Sequence, residues 1–237
     1  MKRFFVSQKQ LGFDTILEGG EHNHLAHVLR MESNERVILI CGDIWDYVYE
    51  IVRITKSQTH LKFISRTRNK SNPNTNLVVF LGVNKLDNLA LVVEKLNEIG
   101  VGEFVPFTGA RSNIPKNALN QAKLQNIANQ SCKQCGRSIP MRVHEAITFS
   151  DVLDELGKFD IAFYADRGEC DSQIDVHILQ GKQYTAIIIG PEGGFTANEL
   201  ISVKNSARQI TLGSRILRSE TAAIVASTVM LSMLGEL

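Results

Sequence analysis

Hydrophobic residues fall along this chain in two rhythms. In the first 70 residues they come as short runs: RVILI at 36–40, DYVYEIVRI at 46–54 and THLKFISR at 59–66. The middle run sets Tyr47, Tyr49 and Ile51 against Val48, Glu50 and Val52, a period near two that predicts a strand. Together the runs predict a small β-rich domain. HNHLAHVLRM at 22–31 interrupts them, with Leu25, Val28 and Leu29 on one face of a short amphipathic helix. SNPNTN at 71–76 has no apolar residue and reads as a linker.

After the linker, strands alternate with helices. LVVFLGV (77–83) reads as a buried strand. KLDNLALVVEKLNEIG (85–100) places Leu86, Leu89, Val93 and Leu96 on one helical face, with Gly100 as a C-terminal cap. EFVPF (103–107) predicts another strand, and residues 116–135 an amphipathic helix stopped by Gly136. IAFYA (161–165), TAIII (185–189) and QITL (209–212) predict further strands, and SETAAIVASTVMLSML (219–234) a terminal helix. This alternation predicts an α/β fold with a mostly parallel sheet covered on both faces. The expected organisation is a β domain over 1–70, a linker over 71–76 and an α/β domain over 77–237.

Composition adds limits. Hydrophobic content of 43% and charged content of 22% suit a globular protein. No apolar run reaches the roughly 18 residues that span a bilayer. The opening MKRFFVSQKQ lacks the apolar core of a secretory signal, so the expected compartment is the cytoplasm and no membrane is involved. Cys132 and Cys135 form a CxxC that closes a helix, with no second ligand pair nearby for zinc. Cys41 and Cys170 stand apart, and no metal is expected. His22, His24 and His27 read as polar residues of a short surface helix.

Charge is unevenly spread. Residues 1–76 carry 11 basic against 8 acidic side chains, and residues 77–237 carry 15 against 17. No acid occurs between Glu50 and Asp87, a stretch holding Arg53, Lys56, Lys62, Arg66, Arg68, Lys70 and Lys85. Such a stripe fits either a polyanion footprint or a solvated face.

Candidate chemistry lies in two loops. IGPEGGFTANE (189–199) follows a strand, where open α/β sheets bind ligands. Gly190, Gly193 and Gly194 admit positive φ and close approach to the backbone. Thr196 and Glu199 fit a capping box, so a helix begins near Ala197. The loop lacks the signatures of a P-loop, a dinucleotide fingerprint or a nucleophile elbow. A turn that binds nothing remains open from this loop alone. QITLGSRILRSETAAI (209–224) repeats the strand, glycine loop and helix order, with Ser219 as N-cap and Glu220 at the positive end of the helix. Two such loops can converge above the strand ends and suit an adenosine-bearing cofactor.

GPEGGFTANE followed by LGSRILRSETAA resembles the SPOUT-class RNA methyltransferases, specifically the RsmE family. HLAHVLRM is similar to that family's N-terminal PUA-like β-barrel domain, KLDNLALVVEKLNEIGV to its Lys-rich helix, and QCGRSIP to a further segment. The resemblance implies a C-terminal trefoil-knot domain and methylation of N3 of one uridine in small-subunit (16S) ribosomal RNA by S-adenosylmethionine. It implies cofactor contacts at Tyr164, Ala165 and Asp166, then at Ile189, Gly190, Pro191, Glu192, Gly193, Gly194 and Phe195. The third loop adds Leu212, Gly213, Ile216, Leu217 and Arg218. Main-chain groups there would hold adenine, and Leu212, Ile216 and Leu217 would enclose it. Expected RNA contacts are Arg3, Arg30, Arg66, Arg68, Lys70 and Lys85, and expected partners are ribosomal RNA or the small subunit. Where the family often has Glu, this chain has Ala90 and Lys133.

The reaction needs alignment more than acid–base power, because methyl transfer from a sulfonium is an in-line displacement. Loss of the N3 proton leaves an anion spread over the flanking carbonyls. Arg218 is expected to stabilise it, and Arg137 to do the same or to hold a phosphate. Glu220 is a candidate base, although the helix dipole that stabilises its negative charge weakens it in that role. The terminal helix is apolar on nearly every side, which predicts a homodimer through it. The alternatives are a non-catalytic RNA-binding relative and a methyltransferase acting on another RNA.

Overall fold

Strands β1 (Lys2–Phe5), β2 (Asp14–Glu18), β3 (Arg36–Ile40), β4 (Trp45–Ile54) and β5 (Gln58–Arg68) form one mixed sheet in the order β1-β3-β4-β5-β2. Only β1 and β3 pair in parallel. Their inward residues Phe4, Leu17, Val37, Leu39, Tyr49, Ile51 and Leu61 bury one core. In β2 only Thr15 and Leu17 turn inward, a period of two too short to stand out in the sequence. The computed structural model describes residues 1–84, 88–112, 114–115, 118–166 and 176–237. Lys85, Leu86, Cys170 and the first two residues of the expected 116–135 helix lie outside them.

The expected helix over 22–31 is instead α1 (Gly19–Asn23) running into a π-helical turn over His24–Val28. The wider turn changes the side-chain phase. Leu25 is fully buried, whereas Val28 is 69% exposed rather than on the apolar face. His22 is buried as well, with its Nδ1 2.8 Å from Thr59 Oγ1.

Residues 73 onward supply β6 (Asn76–Gly82), α2 (Leu89–Ile99), β7 (Glu103–Thr108) and α3 (Gln121–Cys135). There follow β8 (Arg142–Val143), β9 (Ile147–Thr148), α4 (Phe149–Glu155) and β10 (Ile161–Ala165). The chain ends in β11 (Tyr184–Ile189), α5 (Ala197–Lys204), β12 (Arg208–Ile210) and α6 (Ser219–Met233). The seven strands form one sheet ordered β12-β10-β11-β6-β7-β8, with β9 also on β7, and all pairs are parallel. Pro106 sits in β7 without breaking the sheet. It falls in the gap between the segments that pair with β8 (Glu103, Phe104) and with β9 (Phe107, Thr108), where no N–H is asked for.

Alternate residues of the strands feed two cores. Leu77, Val79 and Leu81 pack with α2 and α6 through Val93, Leu96, Ala226 and Met230. Val78, Phe80 and Ile188 pack with α4 and α5 through Phe149, Val152 and Val203. Gly100 (φ 107°) and Gly136 (φ 91°) end α2 and α3 in the left-handed conformation, as the sequence predicts. α3 starts at Gln121 because the Asn120 side chain accepts from Lys123 N at 2.9 Å.

The terminal helix departs from its expectation. Ala223, Ala226, Met230 and Leu231 are fully buried, but Val225 is 37% and Val229 40% exposed. One face of α6 meets the core and another meets solvent.

The chain divides into two compact units, Met1–Asn72 with Asn129–Pro140, and Pro73–Ala128 with Met141–Leu237. The return of 129–140 to the first unit is invisible in sequence, because it rests on long-range bonds. Asn69 Nδ2 donates to Gly136 O at 2.8 Å, Asn72 Nδ2 lies 2.8 Å from Ser138 Oγ, and Lys133 pairs with Glu21. Lys133 therefore has a structural partner inside the first unit. Ala90 is exposed on α2.

Candidate active site

The neighbouring strands β12, β10 and β11 end at Ile210, Ala165 and Ile189, and the loops that follow enclose a cavity of about 440 Å3. This is the carboxyl edge of a parallel sheet, where strand-end crevices form. Ala165 and Asp166 line it, as do Ile189 to Glu192, Gly194 and Phe195, together with Leu212, Gly213 and Ile216 to Arg218. Arg215, within the expected 212–218 loop, lines it as well, and Thr211, Ser219 and Ala222 line it without having been expected. Tyr164 does not. Its ring is buried and its hydroxyl lies 3.0 Å from Gln209 Oε1, so it packs beneath the cavity floor.

The glycine loop is held from several sides. Gly194 N donates to Pro191 O at 2.7 Å, closing a turn, and Gly194 takes φ 67°. Gly190 and Gly193, which could admit positive φ as well, do not adopt it. Their lack of a side chain serves space instead. A Cβ on Gly190 would lie 3.1 Å from the Phe195 ring, and one on Gly193 3.3 Å from Arg111 Cδ. Phe195 is buried against Phe149 and Tyr164 and anchors the loop from below.

The capping box forms as expected. Thr196 accepts from Glu199 N at 3.3 Å, and Glu199 Oε2 accepts from Thr196 N at 2.7 Å. Glu199 Oε1 also accepts from Ala110 N at 2.8 Å, and Arg111 Nη1 donates to Gly193 O at 2.5 Å. The segment after β7 thus braces the loop, a role no local pattern marks.

At the second loop, Arg218 is the N-cap of α6 and Ser219 its first helical residue, which corrects the expected cap by one position. Glu220 lies in the first turn, as expected, and its Oε1 accepts from Asn88 Nδ2 at 3.2 Å. Arg218 is exposed at the rim of the cavity.

The other candidate residues fall elsewhere. Arg137 is 3% exposed inside the first unit, and its Nε donates to Ile139 O at 3.1 Å. Burial pushes its guanidinium below the usual arginine range. It does not line the cavity, and its inward position leaves it unsuited to hold a phosphate. Arg3 makes two 2.7 Å bonds to Asp46 and is mostly buried, so it serves the fold of the first unit rather than a free RNA contact. Arg30, Arg66, Arg68 and Lys70 are exposed. Arg66 lies 4.7 Å over the Trp45 ring.

The lining fits an adenosine-bearing cofactor better than a triphosphate. It combines apolar Ile189, Leu212, Ile216 and Leu217 with exposed main chain, and Asp166 and Glu192 offset the charge of Arg215 and Arg218. The glycines leave main-chain groups open to a flat ring. Among the described residues no helix is long and apolar enough to cross a membrane.

Comparison with known proteins agrees with this geometry. The RNA methyltransferase domain family matches residues 70–231. A ribosomal RNA small subunit methyltransferase E of Mesomycoplasma hyopneumoniae is 30% identical over 228 residues, spanning 94% of this chain and 96% of that protein. Its Bacillus subtilis namesake is 26% identical over 241 residues, spanning 95% and 94%. A Legionella pneumophila protein solved with bound cofactor SAM aligns with TM-score 0.84 at 26% identity over 97% of this chain and 96% of that one. The Neisseria gonorrhoeae ribosomal RNA small subunit methyltransferase E, solved with S-adenosyl methionine, shares the fold with TM-score 0.89 at 22% identity over 98% of each chain. With the glycine loops closing one cavity and the similarity running through nearly the whole sequence, this chain belongs to the RNA methyltransferase family, alongside the ribosomal RNA small subunit methyltransferase E proteins.

Proposed function

We propose that this protein uses S-adenosylmethionine to methylate N3 of a uridine in 16S ribosomal RNA, which places its work in the cytoplasm. The observation that carries the reading is the cavity at the strand ends, with Gly194 in the left-handed conformation and Arg218 at its rim. Bound there, the cofactor supplies an electrophilic methyl group on a sulfonium. The main chain of 189–192, 194, 211–213 and 215–217 would hold the nucleoside portion, and Leu212, Ile216 and Leu217 would exclude water from it. As the N3 proton of uracil passes to solvent water, Arg218 would donate to a carbonyl oxygen beside N3 that gains charge. Isothermal titration with S-adenosylmethionine should show saturable binding. Mass mapping of small-subunit RNA from a deletion strain should show one uridine lacking its methyl group. A chain that binds no S-adenosylmethionine, or a deletion that leaves every methyluridine in place, would overturn the reading.

RNA is held, in this reading, by the exposed basic residues of the first unit. Changing Arg66, Arg68 and Lys70 to Glu should weaken RNA binding. It should also flatten its dependence on salt by about 0.9 logarithmic units for each phosphate that the protein no longer neutralises. Cofactor affinity should not change, because none of the three lines the cavity. Filter binding across a salt series checks this, and an unchanged slope would reduce the stripe to a solvated face.

A homodimer through α6 completes the proposal. Val225 and Val229 stand one turn apart on its exposed face, in the unit that carries the cavity.

A further inference from the structure

A smaller cleft of about 150 Å3 opens beside the cofactor cavity, between the end of β6, the start of α2 and the start of α6. Glu192, Arg218 and Ser219 line both spaces, so the two share one wall. The cavity sets main chain and aliphatic side chains beside Asp166, Glu192, Arg215 and Arg218, whereas the cleft adds the amides of Asn84 and Asn88 and the Glu220 carboxylate over Leu81, Val83, Leu89 and Val92.

Asn88 is unusual in two respects. It precedes α2 at the N-cap but makes no capping bond, and it holds φ 67°, in the left-handed region that asparagine enters more readily than most residues. Instead of capping its own helix, Asn88 Nδ2 donates to Glu220 Oε1 on the neighbouring helix at 3.2 Å. A carboxylate accepts and never donates, so this bond fixes which way round the amide sits. The second hydrogen on Nδ2 remains for another acceptor. Arg218, which only donates, stands on the shared wall.

Uracil shows two acceptors, O4 and O2, on either side of N3. Cytosine replaces O4 with an amino donor. Two donors spaced around a ring therefore accept uracil and meet cytosine with one donor facing another. They also leave N3 free to point through the shared wall toward the cofactor.

We propose that the small cleft is the target-base subsite. In it Asn88 donates to O4 and sets the preference for uracil, Arg218 donates to O2, and Glu220 is the positioning residue that orients the Asn88 amide. This rests on the methyltransferase reading above.

The test measures binding of ribosomal RNA carrying either uridine or cytidine at the methylated position, with S-adenosylhomocysteine present as the unreactive cofactor product. The unaltered protein should favour uridine about 10- to 100-fold. In the Asn88→Asp, Glu220→Gln double variant the glutamine amide can donate to the new carboxylate. The other carboxylate oxygen then faces the base as an acceptor, so the preference should reverse toward cytidine. Asn88→Ala alone should erase the preference and lower kcat, which keeps the test decisive if the double variant does not fold. S-adenosylhomocysteine affinity should stay within about twofold of the parent in each variant, since Asn88 and Glu220 do not line the cavity. Variants that bind the cofactor product normally and still favour uridine like the parent would overturn the subsite. Failure of the unaltered protein to methylate any uridine would instead overturn the methyltransferase reading.

Discussion

Gly82→Ala is expected to weaken S-adenosylmethionine binding about 10- to 100-fold, although Gly82 does not line the cofactor cavity. It ends β6 directly beneath the glycine loop. A Cβ there would sit 2.5 Å from both Pro191 Cδ and Pro191 N, and 3.0 Å from Phe107 Cζ. The first two atoms belong to a ring fused to the backbone and cannot swing aside. The loop must lift, and with it the main-chain groups of 190–194. Gly194→Val acts by another route, forcing a β-branched residue to φ 67° at a cost of about 1–2 kcal/mol, so about a tenfold loss is expected. Gly20→Ala is the control, since nothing lies within 4 Å of a Cβ built there and its φ is not positive. Calorimetry with a parallel thermal melt separates loop displacement from unfolding. Unchanged affinity in a folded Gly82→Ala protein would show that the loop does not hold the cofactor.

The second large effect concerns assembly. Val225→Glu with Val229→Glu should abolish the dimer and methylation together, while the chain stays folded because both positions are exposed. The choice of positions matters. Leu231 belongs to the same apolar run in sequence, but it is fully buried in the core between the sheet and α2. A charge there would cost several kcal/mol of desolvation and unfold the chain, so a loss of dimer would say nothing about the interface. Sedimentation at micromolar concentration, with a methylation assay on the same sample, reads both quantities. A monomeric variant of full activity would remove the second subunit from the site.

The CxxC at 132–135 and the histidines near 22–27 are placed by packing. Cys132 is fully buried at the end of α3, and His22 is packed against Thr59 and His27. Both patterns were weak in sequence because they lacked a partner set. Exposed Arg66 and Arg68 carry the opposite lesson. Arg3 was equally basic in sequence, yet a carboxylate 43 residues away occupies it. No local window contains that information.

What the sequence determined by itself was whatever depends on near neighbours. The capping box at Thr196 and Glu199, the glycine stops at Gly100 and Gly136, and the strands ending at Ala165 and Ile189 follow from bonds and sterics within a few residues. The order of strands, which puts the three loops side by side, was decided by packing of the whole sheet. So were the clash that keeps position 82 a glycine, the bond from Arg111 to Gly193 and the bond from Asn88 to Glu220. Each joins residues 82 to 132 apart, at a point that exists only once the sheet has formed, so no periodicity or motif along the chain can encode it separately from the fold.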